Sequence, residues 1–477
     1  MPGVRNRKPR DLPTIAALAR SLERRELSAE ALTEECLAAI ATQNDSINAF
    51  ITVLADEARM QARDADAEIA GNRYRGPLHG IPVCVKDIID MAGVATTAAS
   101  RVRRGYIAEK DATIVARLRA AGAVIVGKTN LHEFALGTTN EDSAFGPVRH
   151  PLDASRSPGG SSGGSAAAVL AGMAMASIGT DTGGSVRIPA AVCGLVGLKP
   201  SFGEIPTDGV VPLSPTLDHV GPIARSCADV RILYEVLTAG SERTGPTATR
   251  SERTWPTGDA FRRTPPAEAN RIRLAVLGGY FLEVLDPDVA TAFSRACDKL
   301  RSAGVRLREA VIPHTSEIAS VYVHLALPEA AAYHVPTLER QPGDYTPAVR
   351  LRLEMGRYIA HEDYLRALRG RDVLRGEIDD VLRVCDGLLL PTLPVPATTL
   401  GSETVRVGES TQPVRNVMLR LTQLFNITGH PAITLPCGLT PAGLPVGAQL
   451  VAASSNTPAL LQMAETLEPY LGPGVSG

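Results

Sequence analysis

The chain predicts an α/β fold with a mostly buried sheet, and three observations carry the prediction. Apolar runs of strand length alternate with longer stretches of helical periodicity. Several of those runs, such as Ile81–Val85 and Ala123–Val126, contain no charged residue. Of the 477 residues, 44% are hydrophobic, enough to bury a large core in one large domain or two to three ordinary ones.

The elements follow in chain order. Asp11 or Thr14 caps a first helix to about Glu26, with Ile15, Leu18 and Leu22 on one face. Ser28 opens a second, Ala29–Ala41. A short strand, Ala49–Leu54, leads to a helix over Glu57–Ala70. The turn Gly76–Pro82 delivers an apolar strand that ends in Lys86 and Asp87. By composition Lys86 reads as a lysine whose stem lies in the core and whose head reaches water. A helix over Asp111–Ala121 precedes a strand, Gly122–Thr129. That strand also spells G-x-x-x-x-G-K-[ST], a phosphate-binding loop. The four intervening residues, Ala123–Val126, are themselves the strand, which argues against such a loop. His132-Glu133 lacks the second histidine of H-E-x-x-H, so no zinc site is expected.

Farther on, 206–218 is loop-like and Ala228–Leu237 is helical. Residues 240–268 are polar and rich in Pro, Thr and Arg, as in a linker or exposed loop. Ile272–Leu277, Pro287–Ala303 and Val305–Ile312 form a β-α-β unit. Residues 318–382 are largely helical. Strands at Asp386–Leu390, Pro431–Cys437 and Val446–Ala452 precede a last helix, Thr457–Glu468, and a disordered tail. No internal repeat is evident.

Bulk properties exclude several functions. A formal net charge of -2 supplies no field for nucleic acid or an anionic membrane, and 4% aromatic residues make a poor base-stacking platform. The seven cysteines are scattered, odd in number and free of C-x-x-C, which suggests free thiols in a reducing compartment. No apolar run reaches membrane-spanning length, and the basic start MPGVRNRKPR is followed by no signal-type apolar core. A cytoplasmic protein without metal or cofactor is expected.

The stretch Gly159–Lys199 is richest in Gly, Ser and Ala. Gly-Gly-Ser triplets end at Ser161, Ser165 and Ser185. Apolar residues run through it, unlike a flexible linker. Glycines let backbone amides approach a ligand, so a serine among them can combine a nucleophile with an oxyanion hole. Gly159–Gly163 also spells the G-x-S-x-G elbow, but a loop sequence precedes it where an elbow needs a strand. The apolar run Met175–Gly179 leads straight into Thr180–Ser185, which favours Ser185 as nucleophile. No histidine can be paired with it from sequence; His132, His219 and His430, near turns, are fallback bases.

Lys86 at its strand end, GGSSGGS at 159–165 and GTDTGGSVRIPAAVCGLVGLKP at 179–200 together resemble the amidase signature family. The spacings fit: 75 residues from Lys86 to Ser161, and 24 from Ser161 to Ser185. The resemblance covers roughly Leu78–Gly240, GAVIVGKTNLHEFALG included, and resumes over Asp386–Glu468. It implies a large mixed central β-sheet covered by helices on both faces. It divides the chain into an N-terminal helical packing region (1–75), the core (76–240), a variable pocket or cap region (241–385) and the returning core (386–477). It also implies a Ser–cis-Ser–Lys triad: Ser185 attacks, Ser161 relays the proton and Lys86 is the ultimate base, neutral through burial. The N–H groups of Thr182, Gly183, Gly184 and Ser185 would hold the oxyanion. Asp181 and Arg187 would support the loops as an ion pair, unless they form a plain surface salt bridge; Ser162 and Ser165 would stand behind the triad.

One branch of the family is the glutamine-hydrolysing subunit of the tRNA-dependent amidotransferase, which resembles D-x-F-T-x-P-x-N-x-x-G before its late strand. Here the segment is LRLTQLFNITG, with Leu419 in place of the acid that would hold the α-amino group of glutamine. That change favours a stand-alone amidase acting on a small apolar or aromatic amide, with carbamates (as in a urethanase) or esters as further substrates. The amidotransferase subunit is the alternative. The pocket is expected from Leu131, Phe134, Ile188, Leu419 and Phe425, and the protein is expected to be a monomer or homodimer.

Overall fold

The computed structural model describes residues 13–239 and 268–472. The expected cap Asp11, nearly all of the 240–268 linker and the tail past Gly472 lie outside the described residues. The strands are β1 (Phe50–Val53), β2 (Pro82–Lys86), β3 (Val124–Thr129), β4 (Ala176–Asp181), β5 (Val196–Lys199), β6 (His219–Ala224), β7 (Arg273–Leu277), β8 (Arg306–Ala310), β9 (Gly387–Pro391), β10 (Thr404–Val407), β11 (Ser410–Pro413), β12 (Ala432–Leu439) and β13 (Pro445–Val451). Eleven of them form one sheet in the order β1-β3-β2-β4-β6-β5-β12-β13-β9-β7-β8, and β10 and β11 pair apart as a hairpin. The sheet is mixed. β2 runs parallel to β3 and β4, and β7 to β8 and β9, whereas the remaining pairs are antiparallel.

The period of two along each strand sorts side chains to opposite faces. Leu388 and Leu390 of β9 join the apolar cluster of Tyr322, Leu325 and Ile378 from the 318–382 helices. Leu389 between them joins the opposite cluster, with Leu460, Leu461 and Leu467 of the last helix, Thr457–Leu471. Helices thus cover both faces. The β-α-β unit adds β7 and β8 to the far edge of this sheet and does not build one of its own.

Several boundaries differ from expectation for local reasons. The first helix stops at Glu23, because Arg25 takes a left-handed φ of 60°. The second continues past Ala41 to Ile47: the polar run Thr42–Ser46 hides the helical period, yet Ile47 returns to the core, and Asn48 caps the end in the left-handed region. The sequence pattern does not announce β5, β6 or the helix Arg187–Val192, since their glycines and prolines weaken the strand and helix signals. The small-residue segment after Ser162 forms the helix Gly163–Leu170. A Cβ on Gly164 would lie 2.3 Å from the Asn130 carbonyl oxygen, so glycine is what lets this helix sit against the backbone of its neighbours.

The candidate active site

The parallel pairing of β2 with β4 sets Val85 opposite Ile178 and brings the C-terminal ends of both strands together. Lys86 ends β2, and Thr180 lies near the end of β4. The Lys86 side chain is fully buried and does not reach water, which corrects the reading from composition. Its amine donates to Ser161 Oγ at 2.8 Å and to Thr180 Oγ1 at 2.7 Å. Burial pushes the amine down to about 7, partly offset by the charges of Asp181 and Asp218.

Ser161 is presented by a Gly160–Ser161 peptide bond that is cis. The next residue ties this turn to the second serine: Ser162 N–H donates to the Ser185 carbonyl at 3.2 Å, and Ser162 Oγ donates to the Thr180 carbonyl at 3.2 Å. Ser165 stands farther back, its hydroxyl 2.8 Å from that of Thr129. Lys86, Ser161, Ser162 and Ser185 are thereby brought together from separate parts of the chain.

Ser185 follows β4 on the turn Thr182–Val186. Among the described residues, the backbone N–H groups of Gly183, Gly184 and Ser185 have no acceptor, and Ser185 Oγ makes no hydrogen bond. Buried N–H groups are nearly always paired, so three consecutive free ones are donors that a negatively charged oxygen can satisfy. The loop is held rigidly. Thr422 Oγ1 donates to the Gly183 carbonyl at 2.6 Å, and Gly184 has φ 137°. A Cβ on Gly183 would stand 2.5 Å from the Tyr322 hydroxyl, and one on Gly184 would stand 2.3 Å from Thr422 Oγ1. On the other side Thr182 Oγ1 donates to Asp218 at 2.6 Å; burial raises the Asp218 carboxyl to about 6 against its hydrogen bonds.

Asp181 and Arg187 form an ion pair at 2.9 Å in which both side chains are fully buried, so the surface salt-bridge reading is corrected. Arg187 also donates to Gln449 Oε1 and Asn426 Oδ1, each at 2.6 Å, and to the Thr422 carbonyl at 3.0 Å. Asp181 Oδ2 accepts the Val186 N–H at 3.1 Å, which fixes the chain just past Ser185. Burial raises the Asp181 carboxyl, but Arg187 and Asn426 outweigh it and hold it below the ordinary range.

The fallback histidines are all buried and engaged elsewhere. His132 Nε2 lies 3.1 Å from Asp142, His219 Nε2 lies 3.2 Å from Lys199 Nζ, and His430 sits between Thr428 and Asp379. Lys128 of the phosphate-loop spelling is buried in β3, 2.8 Å from Asp87, where it meets no solvent-borne phosphate. No group of His, Cys, Asp and Glu suited to a metal ion occurs among the described residues.

Of the expected pocket residues, Leu419 and Ile188 border the glycine turn: their side chains lie within 3.0 Å of Cβ positions built on Gly183 and Gly184. Leu131 and Phe425 are fully buried in the apolar core, and Phe134 packs on His334 with ring centroids 4.3 Å apart. Sequence reasoning missed Thr180, Thr422, Asn426, Gln449, Tyr322 and Asp218. Thr422 and Asn426 stand at the T and N of the late motif, and that match was the available signal. Thr180 carried none beyond its place just before the turn.

Residues 31–461 match the family Amidase. The A-type subunit of a glutamyl-tRNA(Gln) amidotransferase from Anaeromyxobacter sp. (strain K) is 39% identical over 479 residues, covering 94% of each chain. An amidase from Pseudomonas putida is 40% identical over 433 residues, 90% of each chain. A solved structure described as an amidase superposes with a TM-score of 0.87 at 36% identity, covering 96% of this chain and 100% of that one. The chain belongs to the amidase signature family of hydrolases that act on amide C–N bonds.

Proposed function

We propose that the protein is a stand-alone hydrolase of small amides that works through an acyl-enzyme on Ser185. The observation that carries this reading is the buried 2.8 Å contact between Lys86 Nζ and Ser161 Oγ, beside a Ser185 turn with free N–H groups. Neutral Lys86 takes the Ser161 proton while Ser161 takes that of Ser185. Ser185 Oγ attacks the carbonyl carbon, and the oxyanion rests on the N–H groups of the turn, with Thr182 at its start. The proton returns through Ser161 to the nitrogen, the C–N bond breaks and the amine leaves. Water, deprotonated by the same route, attacks the ester; the acid departs and Ser185 recovers its proton.

Leu419 against the turn supports an apolar segment next to the scissile carbonyl, and the acid that would neutralise the ammonium of glutamine is missing there. The 39% identity to the amidotransferase relative favours the second reading, a glutaminase within a complex. The deciding assay uses the purified chain alone. Amine or ammonia release from aryl and alkyl amides, abolished in Ser185→Ala, supports the stand-alone hydrolase. Glutamine hydrolysis seen only with added partner subunits establishes the other. Carbamates and esters in the same panel define the breadth of the site.

A further inference from the structure

One flank of the Ser185 turn carries a charge that the chemistry above leaves without a task. The helix Val414–Leu419 sets Leu419 Cδ2 3.0 Å from a Cβ built on Gly183. Arg415 precedes Leu419 by four residues, so the two share a helix face, one turn of about 5.4 Å apart. Arg415 is half-buried with its Nε fully buried. Among the described residues its guanidinium makes no hydrogen bond and no ion pair. Arginine carries five donors and keeps its charge in proteins; only Nε of Arg415 is buried, and its terminal nitrogens stay open to an incoming anion, with which they would form charge-assisted hydrogen bonds.

The groups around it do not supply that anion. Burial lowers the pKa of Arg415 and of Arg352, and the charge of Arg415 lowers Arg352 further. Arg352 donates to the Leu136 carbonyl at 3.1 Å and is the cation that Asp142 offsets. Asp142 also lies 3.1 Å from His132, which burial holds below its ordinary pKa and so neutral. Burial raises the Tyr322 phenol to about 12, so it too is neutral. No carboxylate acts on Arg415, whereas Asp142 acts on Arg352, so the charge of Arg415 is left without a counter-ion among the described residues.

We infer that Arg415 is a specificity residue that receives a carboxylate carried by the amide substrate. The same surplus charge, with Leu419 beside it, disfavours an ammonium group near that carboxylate. The preferred substrate is thus an amide bearing a free carboxylate and no α-amino group. The inference rests on the amide-hydrolase reading and narrows its substrate class: the apolar segment against Leu419 ends in an anion.

The test compares three amides of similar size on the full-length protein: glutaramate, with its carboxylate on the acyl side; N-butyrylglycine, with its carboxylate on the amine side; and neutral valeramide. At least one anionic amide is expected to exceed valeramide in kcat/KM by about tenfold or more. In Arg415→Gln that selectivity ratio should fall about 10–100-fold, the range of a lost charge-assisted hydrogen bond, and Arg415→Lys should restore part of it. The favoured anionic amide identifies the side that carries the carboxylate. Binding gives a readout independent of turnover. Ser185→Ala, titrated calorimetrically, should bind the favoured anionic amide more tightly than valeramide and lose that difference when Arg415→Gln is added. Equal selectivity and equal binding with and without Arg415 overturn the inference. Amide turnover that survives Ser185→Ala would instead overturn the acyl-enzyme reading, while the titration still decides Arg415.

Discussion

Thr180 Oγ1 accepts a hydrogen bond from Lys86 Nζ at 2.7 Å, across the parallel pair β2 and β4. The amine is therefore held from two sides, by Thr180 and by Ser161. A hydrogen-bond acceptor favours the charged amine, so Thr180 opposes the effect of burial. In Thr180→Val the amine should titrate lower than in the parent, and loss of positioning should lower kcat as well. The acid limb of the kcat/KM profile checks both; a limb that moves upward contradicts this role for Thr180.

Activity should rise with pH. With the Lys86 amine at about 7, the ammonium that prevails below this value cannot accept the Ser161 proton. The rate should climb about tenfold per unit on the acid side and level off above. The stability sign follows from the same group. Between about 7 and the ordinary 10.5 the unfolded chain holds a proton that the native site lacks, so the Lys86 contribution to stability grows with pH across that window. A flat activity profile from about pH 6 to 8 would exclude Lys86 as the base.

Replacing the two serines should separate their tasks. Ser185→Ala should abolish the acyl-enzyme that mass spectrometry detects with a slowly deacylating ester. Ser161→Ala should retain Ser185 but slow acylation by about 10²–10⁴-fold, the range for a lost proton-transfer group. Stopped-flow acylation rates would show whether Ser161→Ala instead resembles the parent.

Gly183→Ala should collide with Tyr322 and Leu419 and turn the free N–H groups away from the oxyanion. A loss of about 10²–10³-fold in kcat is expected, with a smaller change in KM. Crystallography of the variant would tell a displaced turn from a wider collapse.

Arg187→Ala should leave the buried Asp181 carboxyl without its cation and remove donors to Gln449 and Asn426. Breaking such a pair costs about 3–5 kcal/mol, so the melting temperature should fall by several degrees or more. Denaturant unfolding measures it. A loss below about 1 kcal/mol would show that the pair contributes little to the fold.

The fold class was legible because alternating apolar strands and amphipathic helices leave a local trace. β5 and β6 were not, since Gly197, Gly221 and Pro222 interrupt the strand pattern while the neighbouring strands supply the order. In the site, Ser161, Ser185 and the glycines showed themselves by composition. Lys86 did not: a single sequence cannot tell a lysine that surfaces from one sealed under a sheet, and only the family resemblance turned the reading. Thr180, Gln449 and Arg415 were silent because their meaning lies in contacts across distant segments.

Arg187 follows the Ser185 turn closely, yet its partners Asn426 and Gln449 come from near the end of the chain. A growing polypeptide that has emerged only through β6 already contains Lys86, Ser161 and Ser185 but lacks the groups that anchor Arg187. The scaffold behind the Ser185 turn is therefore complete only once the last part of the chain, β13 included, has joined the sheet.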